Sequence, residues 1–262
     1  MIDIGVNLTN ARFDKDRNEV IERAKLANIQ GMLVTGTNVA ESLIAEKLCH
    51  QYPYYLKCTA GVHPHDADHV SQDFIEILTQ LAASEHVKAI GECGLDFNRN
   101  FSTPENQQRV FKQQIELASK LNMPLFLHQR DAFDTWLEIL KPHIDNIPAL
   151  VSHCFTGDLQ QLKTCLDLGM YIGITGWVCD ERRGQALHEI VKHIPLERLM
   201  IETDAPYLTP RTIRPKPKSS RNEPSYLPYV AQTLAEAMNH SVEDVLTHSY
   251  QNSVRVFNWK GR

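Results

Sequence analysis

At 262 residues, with 42% hydrophobic and 23% charged side chains, the chain has the makeup of an ordinary globular protein and length enough to bury a core. Its net charge of −5, from 27 Lys and Arg against 32 Asp and Glu, excludes a protein that coats nucleic acid nonspecifically, because such binding rests on neutralising many phosphates; an enzyme needs positive potential only locally. The opening MIDIGVNLTN lacks the basic region and apolar run of a signal peptide or membrane anchor, and the six cysteines form no CxxC pair, so a cytoplasmic, non-membrane protein with reduced thiols is expected.

The predicted elements alternate strand and helix along the chain. IDIGV (residues 2–6) reads as a strand and is followed by an amphipathic stretch over 16–27. The same pairing recurs as 31–36 with 39–51, 56–61 with 71–82, 87–92 with 103–121, 124–128 with 132–140, 149–153 with 159–168, 170–175 with 181–193, and 199–203 with 227–238. A helical tail, 242–259, closes the sequence. Within the fourth helix Thr103, Asn106 and Gln107 suit an N-terminus, and Val110, Ile115, Leu117, Ala118 and Leu121 supply its apolar face.

Strands alternating with helices call for a parallel sheet buried on both faces. Eight such units on about 250 residues match a closed (β/α)8 TIM barrel better than an open doubly wound sheet, and no GxGxxG fingerprint follows any strand. The Pro-rich, basic segment 206–228 reads as a long loop after the eighth strand, which leaves residues 1–262 as one barrel domain.

Four metal-compatible residues stand at or just past strand ends: Glu92 after VKAIG, His128 after LFL, His153 after LVS, and Asp204 after LMIET. A parallel barrel delivers the ends of all its strands to one face, so the four are expected to converge there as metal ligands. Asp204 can complete the coordination sphere or take a proton from water, and Glu92 can bridge or clamp a cation. Glu202, two residues before Asp204, is a candidate for supporting a ligand from behind. His63, in the GVHPHD turn after the third strand, enters the same face as a candidate phosphate ligand or general acid, whereas His65 reads as structural. Arg130 follows His128 by two positions, and the acid-free stretch 211–221 carries Arg214, Lys216 and Arg221; these four are the candidate substrate contacts. Phe97, Phe155, Trp177 and Tyr207 fall in loops after strands, where a base could stack, although loop packing is the better account of each taken singly.

The motifs GVHPHD (61–66), IGECGLDFNRNFSTPE (90–105), NMPLFLHQRDA (122–132), SHCFTG (152–157), YIGITGWVCDERRG (171–184), IETDAPYL (201–208) and SSRNEPSYLP (219–228) together resemble the TatD-type metal-dependent deoxyribonucleases over essentially the full length. The resemblance implies an amidohydrolase-type barrel, a divalent metal, magnesium for activity, and 3'-to-5' exonuclease action on single-stranded DNA and RNA, in DNA repair after oxidative damage. Two His ligands suit manganese or zinc better than magnesium, so either of those ions can also be expected at the site. The HxH pair with which most such enzymes open is replaced by Gly5 and Asn7, which leaves Glu92, His128 and His153 as a three-ligand site for one well-held ion. The ligand set suits a small-molecule or aminoacyl ester or amide equally well, and hydrolysis of such a substrate is the alternative; a monomer is expected.

Overall fold

A computed structural model describes residues 1–259, so the last three positions of the expected domain lie outside the described residues. Eight strands form one parallel sheet in sequence order: β1 (Ile2–Val6), β2 (Gly31–Val34), β3 (Leu56–Ala60), β4 (Val87–Asp96), β5 (Leu125–Arg130), β6 (Leu150–Ser152), β7 (Tyr171–Ile174) and β8 (Leu199–Ile201). The sheet closes between its first and last strands, where Asp204 N donates to Gly5 O (2.8 Å) and Asn7 N to Ala205 O (2.8 Å). This is the (β/α)8 barrel expected from the alternation.

Helices α1 (Arg17–Leu26), α2 (Val39–Gln51), α3 (Phe74–Ala82), α4 (Pro104–Leu121), α5 (Phe133–Leu140), α6 (Leu159–Asp167), α7 (Gln185–Ile190) and α8 (Leu227–Met238) follow the strands in turn. Local chemistry sets many of their ends. Asn38 caps α2 by accepting from Glu41 N (2.9 Å) and Asp158 caps α6 by accepting from Gln161 N (2.8 Å), while Asn122 and Asn239 end α4 and α8 in the left-handed conformation. Thr103 does not cap α4 as its position suggests. Its own N–H and hydroxyl donate to Asp68 (3.1 and 2.9 Å), and Pro104 takes the first helical position.

Two apolar layers hold the barrel. The larger lies between sheet and helices and includes Val34, Ile90, Leu127, Ile172, Phe111 and Trp136. The smaller joins Ile2, Leu33, Ala89, Phe126, Val151, Tyr171 and Met200 from the strands to Val256, Phe257 and Trp259 at the end of α9 (Val242–Val256). Trp259 rests on Gly31 at the start of β2, a position where any side chain would collide with the indole. The tail therefore packs beneath the barrel, against the strand starts.

Several elements depart from the expected bounds, β4 and α7 by four residues. β4 runs to Asp96 instead of ending at Glu92, because CGLD pairs on with β5 after a bulge between Gly91 and Cys93. Gly91 (φ +140°) and Gly94 (φ +149°) supply backbone that side chains rarely adopt, and a Cβ at either would collide with β5 backbone. Glu92 thus sits at an irregularity inside a strand, which re-aims its carboxylate. α7 begins four residues late because Asp180 to Gly184 are tied into a turn, with Gly184 N donating to Asp180 O (2.7 Å).

Candidate metal centre

The strand ends open into a cleft of about 1010 Å³. At its floor the Glu92 Oε1 faces three imidazoles: His128 Nδ1 at 3.0 Å, His63 Nε2 at 3.4 Å and His153 Nε2 at 3.5 Å. Glu92 and His153 are only 5% and 4% exposed. Burial opposes charge on Glu92, but the surrounding His63, His153 and His128 hold its carboxyl well below the usual range.

Asp204 stands close to His153. With His153 and Cys154 it forms one group able to hold a cation, its ligand atoms within 4.8 Å of one another, and His63, Glu92 and His128 form a second of the same size. Asp204 takes its place from barrel closure: its backbone is left-handed (φ +53°) and its Oδ1 accepts from Asn7 Nδ2 at 2.9 Å. Burial pushes its carboxyl up to about 7, against the pull of His153. Asn7, one of the two residues standing in for the HxH pair, therefore supports a carboxylate.

Gly5, the other, makes room. Glu202 is fully buried between Gly5 and Gly173; a Cβ at Gly5 would run into its Oε2, and one at Gly173 would stand 2.5 Å from its Oε1. From that slot Glu202 accepts from His153 Nδ1 (2.6 Å) and from Cys154 N (2.6 Å). Burial works against a charged His153 ring, but Glu202 and Glu92 together hold its pKa up to about 10. A carboxylate on one nitrogen, with the other nitrogen facing the cleft floor, is the arrangement of a metal-binding imidazole. β8 ends at Ile201, so chain closure rather than strand alternation separates Glu202 from Asp204.

His63 Nδ1 accepts from His65 N (3.1 Å), which leaves the proton on Nε2, toward Glu92. Burial, chiefly, pushes its pKa down to about 4. The nitrogen His128 Nε2 is buried without a hydrogen-bond partner, with Asp96 Oδ2 3.9 Å away. Buried polar atoms are rarely left so. That orphan, together with clustered nitrogen and carboxylate donors, fits a divalent cation.

Sequence reasoning passed over two members of this site, His65 and Cys154. His65 reads as structural, yet its Nε2 meets Asp96 Oδ2 (2.5 Å) inside the cleft and its ring packs edge-on against Phe101. Asp96, in the polar stretch after Glu92 whose composition suits a cleft lining, does line it, carried there by the longer β4. Cys154 looked like a core thiol; φ of +45° turns it into the cleft. A bulge-permitting Gly-x-x-Gly around Glu92 was the available signal for Asp96.

Of the expected substrate contacts, only Arg130 lines the cleft. Arg221 instead grips Asp16 with both guanidinium nitrogens (2.7 Å each), Arg214 Nη1 donates to the carbonyls of Arg211 and Ile213 (2.7 and 2.8 Å), and Lys216 is exposed away from the cleft lining. Acidic partners far away in sequence claim the acid-free segment: Asp16 for Arg221 and Glu181 for Arg211. Arg12, Arg99 and Arg183 line the cleft in their place. Of the aromatic candidates, Trp177 and Tyr207 reach the cleft, Phe155 is buried, and Phe97 packs on the core.

The chain matches the family described as TatD related DNase over residues 2–258. It is 52% identical over 257 residues, 98% of this chain and 99% of the relative, to a protein of Pectobacterium atrosepticum named 3'-5' ssDNA/RNA exonuclease TatD. A protein of the same name from Salmonella typhimurium is 54% identical over 235 residues, 90% of each chain. The solved structure of a TatD homologue from Escherichia coli K12 superposes with a TM-score of 0.89 at 27% identity, covering 98% of both chains. Since the match runs from β1 past the end of α9 and takes in the whole of this cleft, the chain belongs to the TatD related DNase family.

Proposed function

We propose that this protein is a metal-dependent 3'-to-5' exonuclease that hydrolyses phosphodiester bonds of single-stranded DNA and RNA. The observation that carries the reading is the Glu92 carboxylate ringed by three imidazoles at the floor of an arginine-lined cleft. The polarity and the substrate follow the names of the close relatives. Glu92, His128, His153 and Asp204 would hold the cation, magnesium for activity with manganese or zinc as substitutes, and bound there it would polarise a phosphoryl oxygen and acidify water.

The chain's own groups do the rest. Asp204, held by Asn7, would take the proton of the attacking water. Glu202 fixes the tautomer and aim of His153. His63 keeps its Nε2–H toward Glu92 and helps hold that carboxylate, and Arg130 would neutralise charge as it builds on the phosphate. One well-held ion is favoured over a preformed pair, since Gly5 offers no ligand and Asn7 is engaged with Asp204. A monomeric barrel domain in the cytoplasm, serving repair after oxidative damage, completes the proposal; six unpaired cysteines fit a reducing compartment, and no helix among the described residues is long and apolar enough to cross a membrane.

The test is digestion of single-stranded DNA labelled at either end, by metal-stripped protein resupplied with magnesium, manganese or zinc, beside His128→Ala. Shortening from the 3' end that needs both the metal and His128 supports the proposal. Absence of cleavage with every ion overturns it and turns the search to esters and amides.

A further inference from the structure

Trp177 stands at the cleft wall, in a short 3-10 turn over Gly176–Cys179. Its backbone N–H donates to Thr175 Oγ1 (3.2 Å), and Gly176 beside it and Gly184 allow contacts that a Cβ would block, against Leu208 O and Trp177 O respectively. Two guanidiniums lie against the indole: Arg183 with its Cζ 4.5 Å from the ring centroid, and Arg130 at 5.5 Å. Asp180, only 4% exposed, holds Arg183 by its Nε (3.0 Å), while that arginine's side chain stays 56% exposed. Arg130 comes from β5, two residues beyond His128 and so on the same face of the strand. The one hydrogen bond of its guanidinium among the described residues goes to Thr156 Oγ1 at 3.3 Å. All three residues line the cleft whose floor holds Glu92.

We propose that Arg130, Trp177 and Arg183 form a strand-gripping subsite in which the two guanidiniums bind backbone phosphates and the Trp177–Arg183 stack takes the face of an unpaired base. This rests on the nuclease reading and deepens it. Cations held against an aromatic ring have already given up much of their freedom, so pairing them with phosphate costs little further ordering. A base can lie on an indole or a guanidinium plane only when its own face is free, so such a surface selects an unpaired strand and tolerates any sequence. Because none of the three belongs to the cation-holding groups, the grip operates without metal.

The test is fluorescence anisotropy of a 5'-labelled oligothymidylate, and of the same oligomer with stable abasic sites along its 3' half, on metal-stripped full-length protein. Trp177→Ala is expected to weaken binding of the intact oligomer by about tenfold while changing the abasic one far less, and Trp177→Phe to recover most of the loss. Arg130→Gln and the exposed Arg183→Gln are each expected to flatten the salt dependence of log affinity by about 0.7. Equal losses on the two oligomers would mark Trp177 as a prop of the loop and overturn the base contact. Wild-type binding with no dependence on any of the three overturns the subsite and leaves the nuclease reading standing. If the wild type does not bind, the subsite is overturned, and digestion by the metal-loaded enzyme then decides whether the nuclease reading falls with it.

Discussion

The two ends of this barrel are built from the same eight strands and do opposite things. At the strand starts, Ile2, Leu33, Tyr171 and Met200 meet Phe257 and Trp259 of the tail in an apolar plug, with Gly31 kept bare so that the indole can seat. At the strand ends, Gly5 and Gly173 clear space for the Glu202 carboxylate instead, and Glu92, Glu202 and Asp204 crowd around His153. One end gains stability by removing apolar surface from water. The other buries charges at a cost and holds them through one another, which is why functional groups gather there.

If that division is real, damage at each end should show in a different measurement. The largest effect is expected from Trp259→Ala, which leaves a cavity at the plug and should lower unfolding free energy by about 3–5 kcal/mol, with kcat of the folded enzyme near wild type. A comparable loss of kcat would mean that the plug and the site are coupled. Next is Glu92→Gln, which removes the carboxylate shared by three imidazoles. Nuclease activity should fall by more than ~100-fold, with thermal stability unchanged or raised, since a buried charge has gone. A large loss of stability in the metal-free protein would place Glu92 among the structural residues.

Glu202→Gln sharpens the contrast. It keeps shape and burial but weakens the hold on His153, so affinity for the cation, read by calorimetric titration of stripped protein, should drop by ~10–100-fold. Gly5→Ala should mimic it by displacing Glu202; an unaltered metal affinity in both would dissociate Glu202 from the centre. The smallest effect belongs to the rim, where Arg221 and Arg23 clasp Asp16 and join the long loop after β8 to the segment after β1. Hydrogen bonds from Arg221, chiefly, hold the Asp16 carboxyl down to about 2. Because that lies below the unfolded value of about 3.9, the stability it contributes is complete above about pH 4 and lost as pH falls through about 2. Asp16→Asn should cost at most ~1 kcal/mol at neutral pH and flatten the acid limb of the stability curve in that window; an unchanged acid limb would show that the clasp contributes nothing.

Strand positions were legible because a buried parallel strand needs a short apolar run and little else. IDIGV matches β1 residue for residue, and the helices over 39–51 and 227–238 match α2 and α8 likewise. The length of β4 was not legible, because CGLD has the composition of a loop and becomes strand only by pairing with β5 across the bulge. Glu92, His128, His153 and Asp204 were legible as a group because each follows an apolar run. Their division into two clusters was not, because it depends on left-handed backbone at Cys154 and Asp204 and on the bulge at Glu92.

The basic segment is the instructive case. Composition leaves residues 211–221 open between a solvated loop and a phosphate-binding stretch; Asp16 and Glu181 pair with its Arg221 and Arg211 from 205 and 30 residues away, and the cleft draws its cations from Arg12, Arg99, Arg130 and Arg183. Local sequence determined the alternation of strand and helix and which residues stand at strand ends, since periodicity and turn chemistry act over a few residues. Only the closed barrel decided which carboxylate meets which imidazole and which arginines remain free for a ligand, since those pairings join groups up to two hundred residues apart through burial and Coulomb attraction, forces that follow distance in space and not along the chain.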